Sequence, residues 1–238
     1  HLIGAGPELG GRLVLYVGTN DPPPAIPQEA DDSQTSLAHP RRYWRAATFD
    51  QYTGRGWTNT TAEAKAVPAD RLLNPKLRPG FDLVQQYQVL APDTEAVFAA
   101  NAPYRLDHAV QAWWRAPGDL ARLSGGLAQY AVVSRVPQPS VAELRSSAAL
   151  CDPLPPEAAA RYLALPEGVP QRVLDLARGV VAGAETRYDA ARSIEAYLRT
   201  YPYNLDLPAP PGDRDIVDYF LFDLQEGYCD YYASAMVV

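Results

Sequence analysis

The chain has 238 residues, of which 47% are hydrophobic and 21% charged, enough apolar material for a packed core in one or two domains and too much for a disordered tail. Asp plus Glu (28) outnumber Lys plus Arg (21), and the resulting net charge of −7 argues against nucleic-acid binding. No apolar run reaches the ~18–20 residues needed to cross a bilayer, and no signal-peptide pattern opens the chain.

Residues 1–138 are predicted to be β-rich. Residues 12–17 form a short strand candidate, and 21–32 a polar, Pro-rich loop. Residues 43–57 read as a strand, a turn at Thr53-Gly54-Arg55-Gly56, and a returning strand. Residues 81–90 alternate apolar and polar side chains around Leu83, Gln85, Tyr87 and Val89, as a half-buried strand does. Further strands are expected over 94–100, 109–114 and 128–136, and this spacing suggests a sandwich or an open barrel. Residues 139–170 are Pro-rich and read as an interdomain connector, with short helical patches near 140–149 and 157–163.

From Gln171 onward the period is helical. Val173, Leu176, Ala177, Val180 and Val181 share a face, with Gly183 as the stop. A second helix is predicted over 189–200, capped by Asp189, with Ala190, Ile194, Tyr197 and Leu198 as its buried stripe. Asp215 opens a third, short helix reaching Phe222. Gly227 permits a tight turn into a fourth helix starting near Cys229. The fold class is therefore α+β: a β-rich sandwich or barrel-like domain (1–138), a connector (139–170) and a helical part (171–238).

Chemistry concentrates in the Gly227-Tyr228-Cys229 triplet. A cysteine at a helix start meets unpaired N–H groups and the positive end of the helix dipole, which favour the thiolate and lower a thiol pKa from ~8.5. Asp230 works in the other direction on the sulfur. On the residues alone, Cys229 is either a small buried apolar side chain or a nucleophile. Tyr228 and Tyr231 line an acyl pocket or belong to the core, while Ala233, Ser234 and Ala235 read as packing residues. The second cysteine, Cys151, lies in the Pro-rich connector and reads as incidental; nothing signals a disulfide. No CxxC, His/Cys cluster or calcium loop is present, so no metal or other cofactor is expected. Trp44, Trp57, Trp113 and Trp114 are either core aromatics or a carbohydrate platform. The pair Arg41-Arg42 reads as solvated surface.

The C-terminal third resembles the transglutaminase-like superfamily of papain-like cysteine enzymes. The resemblance rests on 188–199, on Tyr201-Pro202-Tyr203, on 215–222 and on 227–235, in that order and spacing. The N-terminal part looks like the companion domain of bacterial membrane-anchored members of the TgpA type, through Tyr43-Trp44-Arg45, residues 52–57, residues 130–134 and the lead-in 163–170. The resemblance implies a Cys-His-Asp triad that forms a thioester from an amide and passes the acyl group to an amine or to water. Cys229 matches the nucleophile.

In the family the His and Asp follow later in the chain. The three histidines here (His1, His39, His108) all lie in the N-terminal part, the chain opens without Met, and it stops at Val238 inside an apolar run. The sequence is thus expected to be a fragment ending just after its nucleophile, inactive alone, from the extracytoplasmic part of a membrane-anchored parent. The implied partner is a protein or peptide amide. The competing expectation is a non-catalytic binding or scaffold module.

Overall fold

The computed structural model describes residues 2–7, 10–21, 42–74, 79–91, 94–146 and 156–238. The strands, in chain order, are β1 (Leu15–Thr19), β2 (Gln51–Tyr52), β3 (Trp57–Thr58), β4 (Glu63–Val67), β5 (Phe81–Val89), β6 (Pro103–Leu106), β7 (Val110–Ala116), β8 (Asp119–Ser124) and β9 (Gln129–Val136). The helices are α1 (Val141–Arg145), α2 (Pro156–Tyr162), α3 (Gln171–Val181), α4 (Arg187–Leu198), α5 (Ile216–Tyr219) and α6 (Cys229–Val237), with a π-helical turn over Phe220–Leu224. The chain divides into two compact units. One comprises 11–48 and 61–138, the other 1–10, 49–60 and 139–238.

The first unit is all β. One antiparallel sheet has the order β1-β5-β9-β6 and the other β4-β7-β8. Alternation along β5 sends Leu83, Gln85 and Tyr87 inward, and β9 answers with Tyr130, Val132 and Ser134. Tyr87, Tyr130 and Val132 share one apolar cluster with Val110, Ala112 and Leu123 of the second sheet, as a sandwich requires. Gln85 is tolerated in this core because its amide is fully engaged. Nε2 donates to Ser134 Oγ (3.0 Å) and to the Leu83 carbonyl, while Oε1 accepts from the Ala100 N–H at 2.7 Å and from the Tyr87 hydroxyl at 3.1 Å.

Residues 94–100 form no ladder strand; only single bridges occur, at Ala96 to Ser124 and Ala99 to Arg45. Strands β4, β6 and β8 carry no clear period-2 apolar signal, and β4 (Glu-Ala-Lys-Ala-Val) is almost wholly exposed. Arg42 is not simply solvated: its guanidinium pairs with Asp21 at 2.6 Å and lies 5.1 Å from the Phe81 ring centre. Arg41 falls outside the described residues.

The second unit is the helical one. Its core joins Val173 of α3, Leu198 of α4, Ile216, Val217, Phe220 and Leu221, and Tyr228 and Tyr231 around α6. Ile3, Tyr52 and Leu207 complete it. The 49–60 hairpin and the first ten residues therefore belong to this unit, which cuts across the three-part division read from the sequence. The reason is chemical: the aromatic side chains of the hairpin fill the helical core, and strand pattern alone does not say which core they enter.

Two end signals also differ. Helix α4 is capped by Thr186, whose hydroxyl accepts from the Asp189 N–H at 3.1 Å, so Asp189 is its third residue rather than its cap. The third helix has two parts, α5 capped by Asp215 and the π-turn, which closes at Gln225 in the left-handed region (φ 56°).

Candidate active site around Cys229

The start of α6 is fixed by a short backbone ladder. The Gly227 N–H donates to the Pro202 carbonyl (3.1 Å) and the Asn204 N–H to the Gly227 carbonyl (2.8 Å), so Tyr203 pairs with Gly227 in parallel. Asn204 Nδ2 adds a bond to Glu226 Oε2 at 3.0 Å. Tyr228 then takes the extended cap position and Cys229 is the first helical residue. Its side chain is exposed, so it is not the small buried side chain that was the alternative reading.

Beneath that turn the helix is anchored by aromatics. Tyr228 and Tyr231 are 3% and 1% exposed, which makes them core rather than pocket lining. Their rings meet edge-on at 5.1 Å, and Tyr231 also packs on the fully buried Phe220. Burial lifts the Tyr231 hydroxyl to about 12. Ser234 is a packing residue, as expected, and its Oγ also accepts from Trp57 Nε1 at 2.8 Å. On the exposed side, the Tyr232 hydroxyl donates to the carbonyls of Tyr201 (2.8 Å) and Pro202 (2.9 Å). Its ring stacks on Tyr203, with centroids 6.1 Å apart and planes 25° from parallel.

The electrostatics correct one expectation. The thiol is pushed up, not down. Partial desolvation is the main cause, and Asp230 adds to it both by its charge and by accepting the thiol hydrogen bond (Sγ to Oδ1, 3.7 Å). Two groups oppose the rise: the Tyr203 side chain and the Asp230 backbone N–H. Tyr203 was visible in the sequence as part of Tyr201-Pro202-Tyr203, but nothing there showed that it lies against the helix of Cys229.

His108 lies in the all-β unit, exposed and bonded to Asp107 at 2.7 Å. Cys151, His1 and His39 fall outside the described residues. Among the described residues no group of His, Cys, Asp and Glu is placed to hold a metal ion. Trp57 belongs to the helical unit and the other three tryptophans to the β unit. Trp44 packs edge-on against Tyr87, and Trp113 carries the Arg122 guanidinium 4.2 Å from its ring centre.

Residues 24–141 match the TgpA N-terminal domain, and residues 174–238, the helical stretch that ends with Cys229 and its helix, match the transglutaminase-like superfamily. The chain belongs to the TgpA type of the transglutaminase-like superfamily. This TgpA-type chain has the fold of the periplasmic domain of TgpA from Pseudomonas aeruginosa. One crystal structure of that domain superposes with a TM-score of 0.63 at 22% identity, covering 96% of this chain and 69% of that one. A second, bound to ethylmercury, gives 0.60 at 23% identity over 96% of this chain and 71% of that one. An uncharacterized protein, YebA of Bacillus subtilis (strain 168), is 37% identical over 81 residues, 33% of this chain and 11% of its own length. The chain thus spans about a tenth of that relative. No helix among the described residues is long and apolar enough to cross a membrane.

Proposed function

We propose that the helical unit supplies the nucleophile of a thiol-dependent acyl transferase or amide hydrolase acting on extracytoplasmic protein or peptide substrates, and that this nucleophile is Cys229. The observation that carries the reading is the place of the sulfur: exposed, at the first residue of the helix that the superfamily match contains. The thiolate attacks an amide carbonyl carbon, the C–N bond breaks, and the departing amine takes up a proton, leaving a thioester. An amine or water then attacks that carbonyl, and the sulfur leaves as thiolate.

The proton carrier in such chemistry is a histidine oriented by an acid. The described residues of the helical unit include no histidine, so the reading assigns the proton carrier to a group outside them. The likeness to a periplasmic domain supports an extracytoplasmic location, and the reading extends this to a membrane-anchored parent. Ethylmercury, named with that relative, is a soft, thiol-seeking group, the same chemistry proposed for Cys229.

The raised thiol favours a second reading, a non-catalytic binding or scaffold module. The two are separated by assaying the natural full-length protein with a glutaminyl peptide, using hydroxylamine as acceptor and water as the alternative. Loss of hydroxamate and acid products by at least ~10²-fold in Cys229→Ala supports the enzyme. Activity retained in Cys229→Ala overturns it, and no product from the parent protein assigns the module reading.

A further inference from the structure

Tyr203 is 62% exposed, yet it is held in place from two directions. Its backbone is paired with Gly227, two residues before Cys229, and its ring is stacked on Tyr232, three residues after it. Positions three apart lie on one helical face, so the stack sets the Tyr203 ring over the side of α6 that carries the sulfur. Tyr232 is itself tied by its hydroxyl to the carbonyls of Tyr201 and Pro202, which fixes the segment bearing Tyr203. An aromatic ring this exposed adds little to the core. Resting on the reading of Cys229 as nucleophile, we infer that Tyr203 is a positioning residue for that nucleophile: its hydroxyl donates to the sulfur and stabilises the thiolate.

The inference explains how a thiol beside a carboxylate is still made usable. The charged and titratable groups about the sulfur are Asp230 and Tyr228, its neighbours in the chain, and Tyr203. Tyr232 stacks behind Tyr203, and Glu226 is engaged with Asn204. The Tyr228 hydroxyl donates to the Gly4 carbonyl and the Tyr232 hydroxyl to those of Tyr201 and Pro202, which leaves Tyr203 as the aromatic whose hydroxyl serves the anion, whereas Asp230 opposes it. A hydrogen bond to a charged group is roughly twice as strong as a neutral one, so its loss is felt mainly by the thiolate and little by the thiol.

The test is the pH profile of iodoacetamide alkylation at Cys229, in a Cys151→Ser background so that one thiol is read. Tyr203→Phe keeps the ring and its stack but removes the donor. Its profile is expected to move to higher pH, with the rate at pH 7 falling about tenfold, the change in thiolate fraction for one pKa unit. Incorporating 3-fluorotyrosine at position 203, which keeps the shape and makes the hydroxyl a stronger donor, moves the profile to lower pH. Asp230→Asn also moves it lower. Coincident profiles for the parent, Tyr203→Phe and the fluorinated protein overturn the inference.

Because alkylation needs no turnover, this result is independent of the assay on Cys229→Ala. Activity surviving Cys229→Ala, together with a shifted Tyr203→Phe profile, removes the nucleophile reading and leaves the hydrogen bond. Activity lost in Cys229→Ala with an unshifted profile removes the role of Tyr203 alone.

Discussion

Trp57 Nε1 donates a 2.8 Å hydrogen bond to Ser234 Oγ, tying a hairpin to the helix of Cys229 across 177 positions of sequence. The bond is made in a nearly dry place, because Ser234 is only 2% exposed. The hairpin carries a second tie: the Tyr52 hydroxyl donates to Asp215 at 3.0 Å, and Asp215 in turn caps α5 through the Val217 and Asp218 N–H groups. Tyr52 and Trp57 also pack against each other with ring centres 5.3 Å apart. The two aromatics of one short hairpin therefore brace the two helices on either side of Gly227.

Trp57→Phe keeps part of the ring packing and leaves the Ser234 hydroxyl without this donor. A buried polar atom stripped of its partner costs ~1–3 kcal/mol. Hydrogen exchange of the α6 amides is expected to speed up by about tenfold per 1.4 kcal/mol. In a Ser234→Ala background the same substitution is expected to have a clearly smaller effect. An equal effect in both backgrounds shows that the hydrogen bond is not what holds the helix.

Much of this architecture was legible from pattern. Strands β5, β7 and β9 announce themselves by alternation, and α3 and α6 by their boundaries. Strand β4 gave no signal because it is almost wholly exposed, and β6 and β8 gave little because their buried apolar residues are too few to set a period. The site was legible in its sulfur and its helix start, both local features. It was not legible in its charge balance, because the rise of the thiol depends on how far water is excluded and on where the Asp230 carboxylate lies. Nor was the hairpin's place readable: Tyr52 and Trp57 look the same in a sequence whether they fill a β core or a helical one.

Asp218 gives the helical unit an acid limit. It is 3% exposed and pairs with Arg172 (Nη2 to Oδ2, 2.6 Å) and Arg214 (2.9 Å), and the Arg172 hydrogen bonds lead in holding its pKa below 3.8. A carboxylate depressed in the folded state contributes stability that is complete above its unfolded value and is lost as the pH falls through the folded one. Stability is thus expected to decline from just below pH 4 downward. Asp218→Asn removes that segment of the decline and costs ~1–3 kcal/mol at pH 7. The lower end is favoured because Arg172 remains about half exposed and both arginines keep Asp223. Urea midpoints of both proteins at pH 7, 4 and 3 check this, and parallel curves across that range contradict it.

Gly227 was expected to serve a turn, but its φ is not among the positive values of the described glycines. Space is the constraint instead. A Cβ at this position meets Phe220 Cε2 at 2.8 Å and Tyr231 Cβ at 3.0 Å. Neither can move freely, since Phe220 is fully buried and packs on Tyr201, Tyr231 and Tyr232 with ring centres 5.2, 5.6 and 5.2 Å away. Overpacking of this kind costs ~1–3 kcal/mol. At about 4 °C per kcal/mol, Gly227→Ala is expected to lower Tm by roughly 4–12 °C. Gly179 is the matched control: it lies within α3, exposed, with nothing within 4 Å of an added Cβ. Gly179→Ala is expected to stabilise, by up to ~1 kcal/mol from helix propensity. Thermal unfolding of the two variants beside the parent decides the matter, and equal Tm values for all three refute the steric role of position 227.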